Sequence, residues 1–173
     1  LTNDIAVGLR ASLPEAEKIK IKYGSCVAKN IGNDEMIEVP GMGGRTPRKL
    51  SRQILGEILE PRMEEIFTLI KREIYRAEME NMIPSGIVLT GGSALLNDVT
   101  EMAESVFNLP TRLGKPRGIG GLVDVVNNPM YATGVGLVIY GAKNQTRKKF
   151  RIRDGNIFNR VMGRMKKWFS EVI

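Results

Sequence analysis

Ile87-Val88-Leu89-Thr90-Gly91-Gly92-Ser93-Ala94-Leu95-Leu96 reads as a short, fully apolar, buried strand that runs into a glycine turn and then a helix through about Phe107. A turn between a buried strand and a helix N-terminus directs free N–H groups outward, and glycines let a ligand approach the backbone. Gly91, Gly92 and Ser93 therefore suit a nucleotide. A tight strand-to-helix turn without a ligand has the same signature, so the surrounding sequence must decide.

Downstream, Thr111–Leu113 reads as another short strand, Gly118–Gly121 as a turn, and Asn128-Pro129 as the opening of an apolar helix from Tyr131 to Ala142. Gly134 and Gly136 on that helix predict close packing on a neighbouring strand. Upstream, residues 3–11 predict a helix with Ile5, Ala6 and Leu9 on one face and Thr2 as its N-cap. Glu15–Lys22 predicts a second helix opened by Pro14 and early acids. Cys26–Lys29 and Met36–Val39 flank a polar Gly-Asn-Asp stretch and predict a β-hairpin. Residues 40–44 read as a loop. From Pro47 to about Asn81 the apolar spacing is helical, with Pro61 allowing a break and restart. Glu17 and Lys20, three apart, share a helix face. Together they can hydrogen-bond a ribose and flank an adenine, although a solvated ion pair has the same spacing.

Composition narrows the chemistry. The 173 residues are 42% apolar and contain no histidine, which excludes histidine acid–base work, Ser-His and Cys-His pairs, and histidine metal sites. The single cysteine, Cys26, forms no internal disulfide and reads as a small core residue. No apolar run is long enough to cross a bilayer. Leu1-Thr2-Asn3-Asp4 is unlike a signal peptide, and the missing initiator Met suggests a fragment. The net charge of +7 is unevenly placed: residues 143–173 hold ten Lys/Arg against two acids, whereas residues 1–142 hold 16 against 17. An anionic partner is therefore expected for the tail alone, either lipid or nucleic acid.

Residues 143–156 read as a flexible basic linker. On a helical wheel, Ile157, Phe158, Val161, Met162, Met165, Trp168, Phe169, Val172 and Ile173 fall within one arc of about 160°. Arg160, Arg164, Lys166 and Lys167 lie on the other side. Docking on the chain's own domain is the ordinary use of such a helix. The basic face, the linker and the aromatic pair instead favour a helix lying in a membrane interface, with Arg160, Val161, Arg164, Met165, Lys166, Lys167, Trp168, Phe169 and Val172 as its binding residues. Nucleic acid would leave the apolar arc without a use.

Three blocks together carry a resemblance. Ile87–Leu96 looks like the adenosine motif of the actin-like ATPase superfamily. Ala16-Glu-Lys-Ile-Lys-Ile-Lys-Tyr-Gly24 resembles the helix of subdomain IIB that faces the adenosine, and Asn128–Gly136 follows in the same order. Within the superfamily, Leu1-Thr-Asn-Asp-Ile-Ala6, Val39-Pro-Gly-Met-Gly-Gly-Arg-Thr-Pro-Arg48, Leu59-Glu-Pro-Arg-Met-Glu64 and the basic amphipathic tail are similar to the FtsA family.

The resemblance implies an α/β fold, the second lobe of an actin-like (ribonuclease-H-like) ATPase. Residues 1–13 and 84–142 would form subdomain IIA, 14–83 subdomain IIB, 143–156 the linker and 157–173 the membrane-targeting helix. It implies ATP with Mg as cofactor, the adenosine side held by Glu17, Lys20, Gly91, Gly92 and Ser93, with the phosphate and metal sites outside this chain. No catalytic residue is expected within it, and the longer protein is at most a weak ATPase. Partners would be the C-terminal tail of FtsZ, bound near Arg45, Arg48, Arg52 and Arg62, further copies in a polymer, and anionic lipid, but not nucleic acid. The place of action would be the cytoplasmic face of the inner membrane at the division site. An actin-like ATPase of another branch, of pilus-assembly or chaperone type with a membrane-binding tail, is the alternative.

Overall fold

A computed structural model of the chain describes residues 1–41, 43, 46–120 and 123–145. By its contacts the chain divides into two compact units, Leu1–Val135 and Gly136–Ile173. The elements discussed below lie in the first unit, except for most of the last helix, which belongs to the second from Gly136 on.

Helices α1 (Thr2–Leu9) and α2 (Leu13–Tyr23) open the chain. Arg10 adopts a left-handed conformation, φ 49°, and its N–H closes α1 on the carbonyls of Ala6 and Val7. Ser12 then caps α2 by accepting from the Glu15 N–H at 3.4 Å, with Pro14 in the first turn where its missing N–H does no harm. Ile5, Ala6 and Leu9 are buried, as their spacing predicts. Thr2 is not the N-cap. It is the first residue of α1, and its hydroxyl is used elsewhere.

The predicted hairpin does not form. Ala28–Asn30 make a 3-10 turn, and the Ala28 N–H donates to Glu60 Oε2 at 2.9 Å rather than to a strand. Strand β1 (Met36–Val39) instead pairs antiparallel with β2 (Arg48–Ser51), in the register Ile37 to Leu50 and Val39 to Arg48. The helix read from Pro47 thus begins five residues later, at Arg52. Ser51 ends β2 and caps α3 (Arg52–Arg76) by accepting from the Gln53 N–H at 3.2 Å. Nor does Pro61 break α3, which runs through it for 25 residues. The proline ring lies on the exposed side, while Leu55, Leu59, Met63 and Phe67 bury a continuous stripe at four-residue spacing. Burial of that stripe offsets the roughly 3 kcal/mol that an interior proline costs.

Helix α3 serves two cores. Leu55 and Leu59 pack with Ile5, Leu9, Ile19, Ile37 and Val39. Met63 and Phe67 pack with Cys26, Val27, Leu96, Val99, Met102 and Phe107, and the Phe67 and Phe107 rings lie 5.7 Å apart. Cys26 is fully buried in this second core, and burial pushes its thiol up to about 12. At pH 8 the native protein should therefore resist alkylation by a thiol reagent, whereas the denatured chain should react completely. Mass spectrometry after a short pulse distinguishes the two, and rapid native labelling would contradict this core.

Strands β3 (Ile87–Leu89) and β4 (Thr111–Leu113) pair in parallel, joined through α4 (Val99–Phe107). Two details differ from expectation. Val88 is 47% exposed, so β3 is half-buried among the described residues. The glycine turn leads first into a single 3-10 turn, Gly92–Leu95, and α4 starts only at Val99. A short helix, α5 (Val123–Val126), and a 3-10 turn, Pro129–Tyr131, precede α6 (Ala132–Gln145). α6 runs three residues past the predicted end. A Cβ added at Gly134 meets no described atom within 4 Å, so the close packing expected there is not seen.

Candidate functional site

Glu17 and Lys20 lie one turn apart on α2, and α1 completes the group. Lys20 Nζ donates to Glu17 Oε2 at 2.7 Å, Thr2 Oγ1 donates to the same oxygen at 2.5 Å, and Lys20 Nζ also donates to Thr2 Oγ1 at 3.0 Å. The Lys20 side chain is 14% exposed and that of Glu17 is 44% exposed. The hydrogen bond from Lys20, then that from Thr2, holds the Glu17 carboxyl below the usual glutamate range. Oε1 has no partner among the described residues.

The glycine turn is built differently. Gly91 has φ +93°, open to glycine at little strain. Its N–H donates to Pro129 O at 2.9 Å, which joins the turn to the segment before α6. Asn128 holds that segment by accepting from the Met130 N–H at 3.0 Å. Gly92 and Ser93 are exposed, and a Cβ added at Gly91 or Gly92 meets nothing among the described residues within 4 Å. The backbone there is open to a ligand.

Two features relate this turn to the first two helices. The segment after α2 meets the far end of the turn. There the Cys26 N–H donates to Asn97 O at 2.9 Å, and Ser25 Oγ donates to Asp98 Oδ2 at 2.5 Å. Leu1, adjacent to Thr2, lines a cavity of about 270 Å³ with Leu89, Thr90, Ser93 and Ala94. Ser25 and Asp98 carry no sequence signal for this contact, being 73 residues apart.

The arginines behave unlike free surface charges. Arg48 Nη2 donates to the Leu9 carbonyl at 2.6 Å, closing the end of α1. Arg52 Nε donates to the Tyr23 carbonyl at 2.8 Å, closing α2, and Nη1 pairs with Glu35 at 2.5 Å. Arg62 grips Asp4 through Nε at 2.8 Å and Nη2 at 3.0 Å, and also pairs with Glu65. That grip holds the Asp4 carboxyl low. Reversing the charge of Arg48 and Arg62 would therefore disturb the fold as well as any partner. Arg45 lies outside the described residues. So do all nine tail positions, Arg160, Val161, Arg164, Met165, Lys166, Lys167, Trp168, Phe169 and Val172.

The family model described as cell division protein FtsA matches residues 1–136. A curated relative from Pseudomonas aeruginosa, cell division protein FtsA, is 45% identical over 174 residues, covering 97% of this chain and 42% of its own length. Its namesake from Escherichia coli K12 is 38% identical over 151 residues, covering 83% of this chain and 36% of its own length. The chain thus spans about two fifths of the curated relatives it matches. Among solved structures, MreB 5 of Spiroplasma citri bound to AMPPNP superposes with a TM-score of 0.62 at 19% identity, over 84% of this chain and 44% of that one. The same protein bound to ADP gives 0.57 at 18% identity, over 89% and 45%. The fold is that of one actin-like lobe.

Proposed function

We propose, since the chain belongs to the FtsA family of cell-division proteins, that it is the second lobe of an actin-like polymer subunit that ties FtsZ to the cytoplasmic face of the inner membrane at the division site. The observation that carries this reading is the coupling of an actin-like lobe to a C-terminal stretch, residues 157–173, whose apolar arc and four basic residues suit an anionic lipid surface. No described helix is long and apolar enough to cross a membrane, so a peripheral helix is the route to the membrane proposed here.

In this reading the adenosine of ATP lies against Gly91, Gly92 and Ser93, with Glu17 and Lys20 at its sugar. The open backbone of the turn and the unpartnered Oε1 of Glu17 support that fit. ATP brings the phosphoanhydride whose cleavage would drive a polymer cycle, and Mg would be held with the phosphates outside this chain. FtsZ's tail, in turn, is taken up in the region of Arg45, Arg48, Arg52 and Arg62. For Arg62 it must compete with Asp4 and Glu65.

Each of Arg160, Arg164, Lys166 and Lys167 adds up to about 1 kcal/mol beside an anionic surface, against roughly 1–2 kcal/mol per residue for ordering the backbone. One tail therefore binds reversibly, and many tails on one polymer bind tightly. Trp168→Glu replaces the largest apolar side chain of the arc with a carboxylate. In co-sedimentation with anionic vesicles, residues 143–173 on an inert carrier should pellet, and the Trp168→Glu tail should stay in solution. Equal pelleting of the two would reject the membrane reading.

A further inference from the structure

We infer that Thr2 is a positioning residue for sugar recognition: it pins one oxygen of Glu17 so that the other is presented as a fixed acceptor to the ribose hydroxyls of a nucleotide. This rests on the reading of Glu17 as a sugar contact.

The geometry separates the two carboxylate oxygens. Both donors of the group, Thr2 Oγ1 and Lys20 Nζ, converge on Oε2, at 2.5 and 2.7 Å. A half-exposed glutamate one helical turn from a lysine would ordinarily sample several rotamers, since such a pair gains little from its charge. Thr2 alters this because it belongs to another element, 15 residues away, so its hydroxyl fixes the carboxylate from outside α2. Its one hydroxyl proton is committed to Glu17, and its oxygen accepts from Lys20 at 3.0 Å. Lys20, largely buried and already held by two oxygens, is poorly placed to seek a phosphate. What remains is Oε1 of an ionised carboxylate, which only accepts. It favours a neutral group with hydroxyl donors and repels phosphate. The site thus reads the sugar end of a nucleotide, and Thr2 makes that reading stereospecific.

The test uses the complete two-lobe protein and compares ATP with 2′-deoxy-ATP and 3′-deoxy-ATP by titration. Wild type should prefer ATP over one or both deoxy analogues by roughly tenfold or more, the scale of a hydrogen bond to a charged group. Thr2→Val keeps the shape and removes the hydroxyl. It should lose most of that preference with an unchanged thermal midpoint, and Thr2→Ser should restore it. If Thr2→Val keeps the full preference while Glu17→Gln loses it, the Thr2 inference is wrong and the sugar reading stands. If wild type and Glu17→Gln treat the three nucleotides alike, the sugar reading is wrong and the Thr2 inference falls with it. A preference lost in Thr2→Val only together with a lowered thermal midpoint, and not restored by Thr2→Ser, also overturns it, since that marks a packing role.

Discussion

Gly92→Asp in the complete protein is expected to weaken ATP binding by about 100-fold or more, close to 3 kcal/mol, while leaving the fold intact. Gly92 is exposed, and a Cβ built there meets no atom of the described residues within 4 Å. The protein can therefore accept the aspartate without moving. The ligand cannot, because the carboxylate would occupy the space through which a nucleotide reaches the backbone, and its charge would oppose the phosphates. Gly92→Ala, uncharged and small, should have a much milder effect. Titration with a fluorescent ATP analogue, alongside a thermal melt, separates the two consequences. An affinity within twofold of wild type would remove the glycine turn from the site.

Gly86→Ala should show the opposite behaviour, destabilising the protein by roughly 3 kcal/mol or more, or about 10 °C in thermal midpoint. Gly86 has φ +91°, a conformation that side chains rarely tolerate. A Cβ there would lie 2.1 Å from the Pro110 carbonyl oxygen. That oxygen also accepts from the Ile87 N–H at 2.8 Å, the bond that opens the pairing of β3 with β4. The substitution would therefore strain the backbone and displace a strand partner together. Circular dichroism melts of wild type, Gly86→Ala and Gly92→Ala provide the comparison. A shift of less than about 2 °C for Gly86→Ala would contradict the register of the β3–β4 pair.

What could be read from the sequence was mostly local. The starts of α1 and α2 follow, to within two residues, from apolar spacing and Pro14, and the strand at Ile87–Leu89 from its apolar run. β2 was hidden because Leu50, Ile54, Leu55 and Ile58 share a helical period that runs straight across it. Ser51 was the available signal, a capping residue immediately before the apolar repeat. The hairpin expectation failed because Cys26–Lys29 has strand-like composition, yet Cys26 and Val27 are drawn into a core formed with α3 and α4. Long-range pairing was not legible. Glu17 and Lys20 were recognisable as a pair, but their third member lies on another helix, where Thr2 looks like a cap. Arg48 and Arg52 looked like surface charge because nothing local reveals a carbonyl at the end of a distant helix.

The two cores share one helix, and this has a mechanical meaning. The last residue α3 gives to the first core is Leu59, and the first it gives to the second is Met63. Pro61 stands midway between them, at the one rung of the interior where the backbone has no N–H to donate. The ladder of α3 therefore lacks a hydrogen bond at the seam between the two cores, which is where a helix bends most readily. A load applied across this unit would be taken up there first. The position of one residue thus decides where the beam would flex.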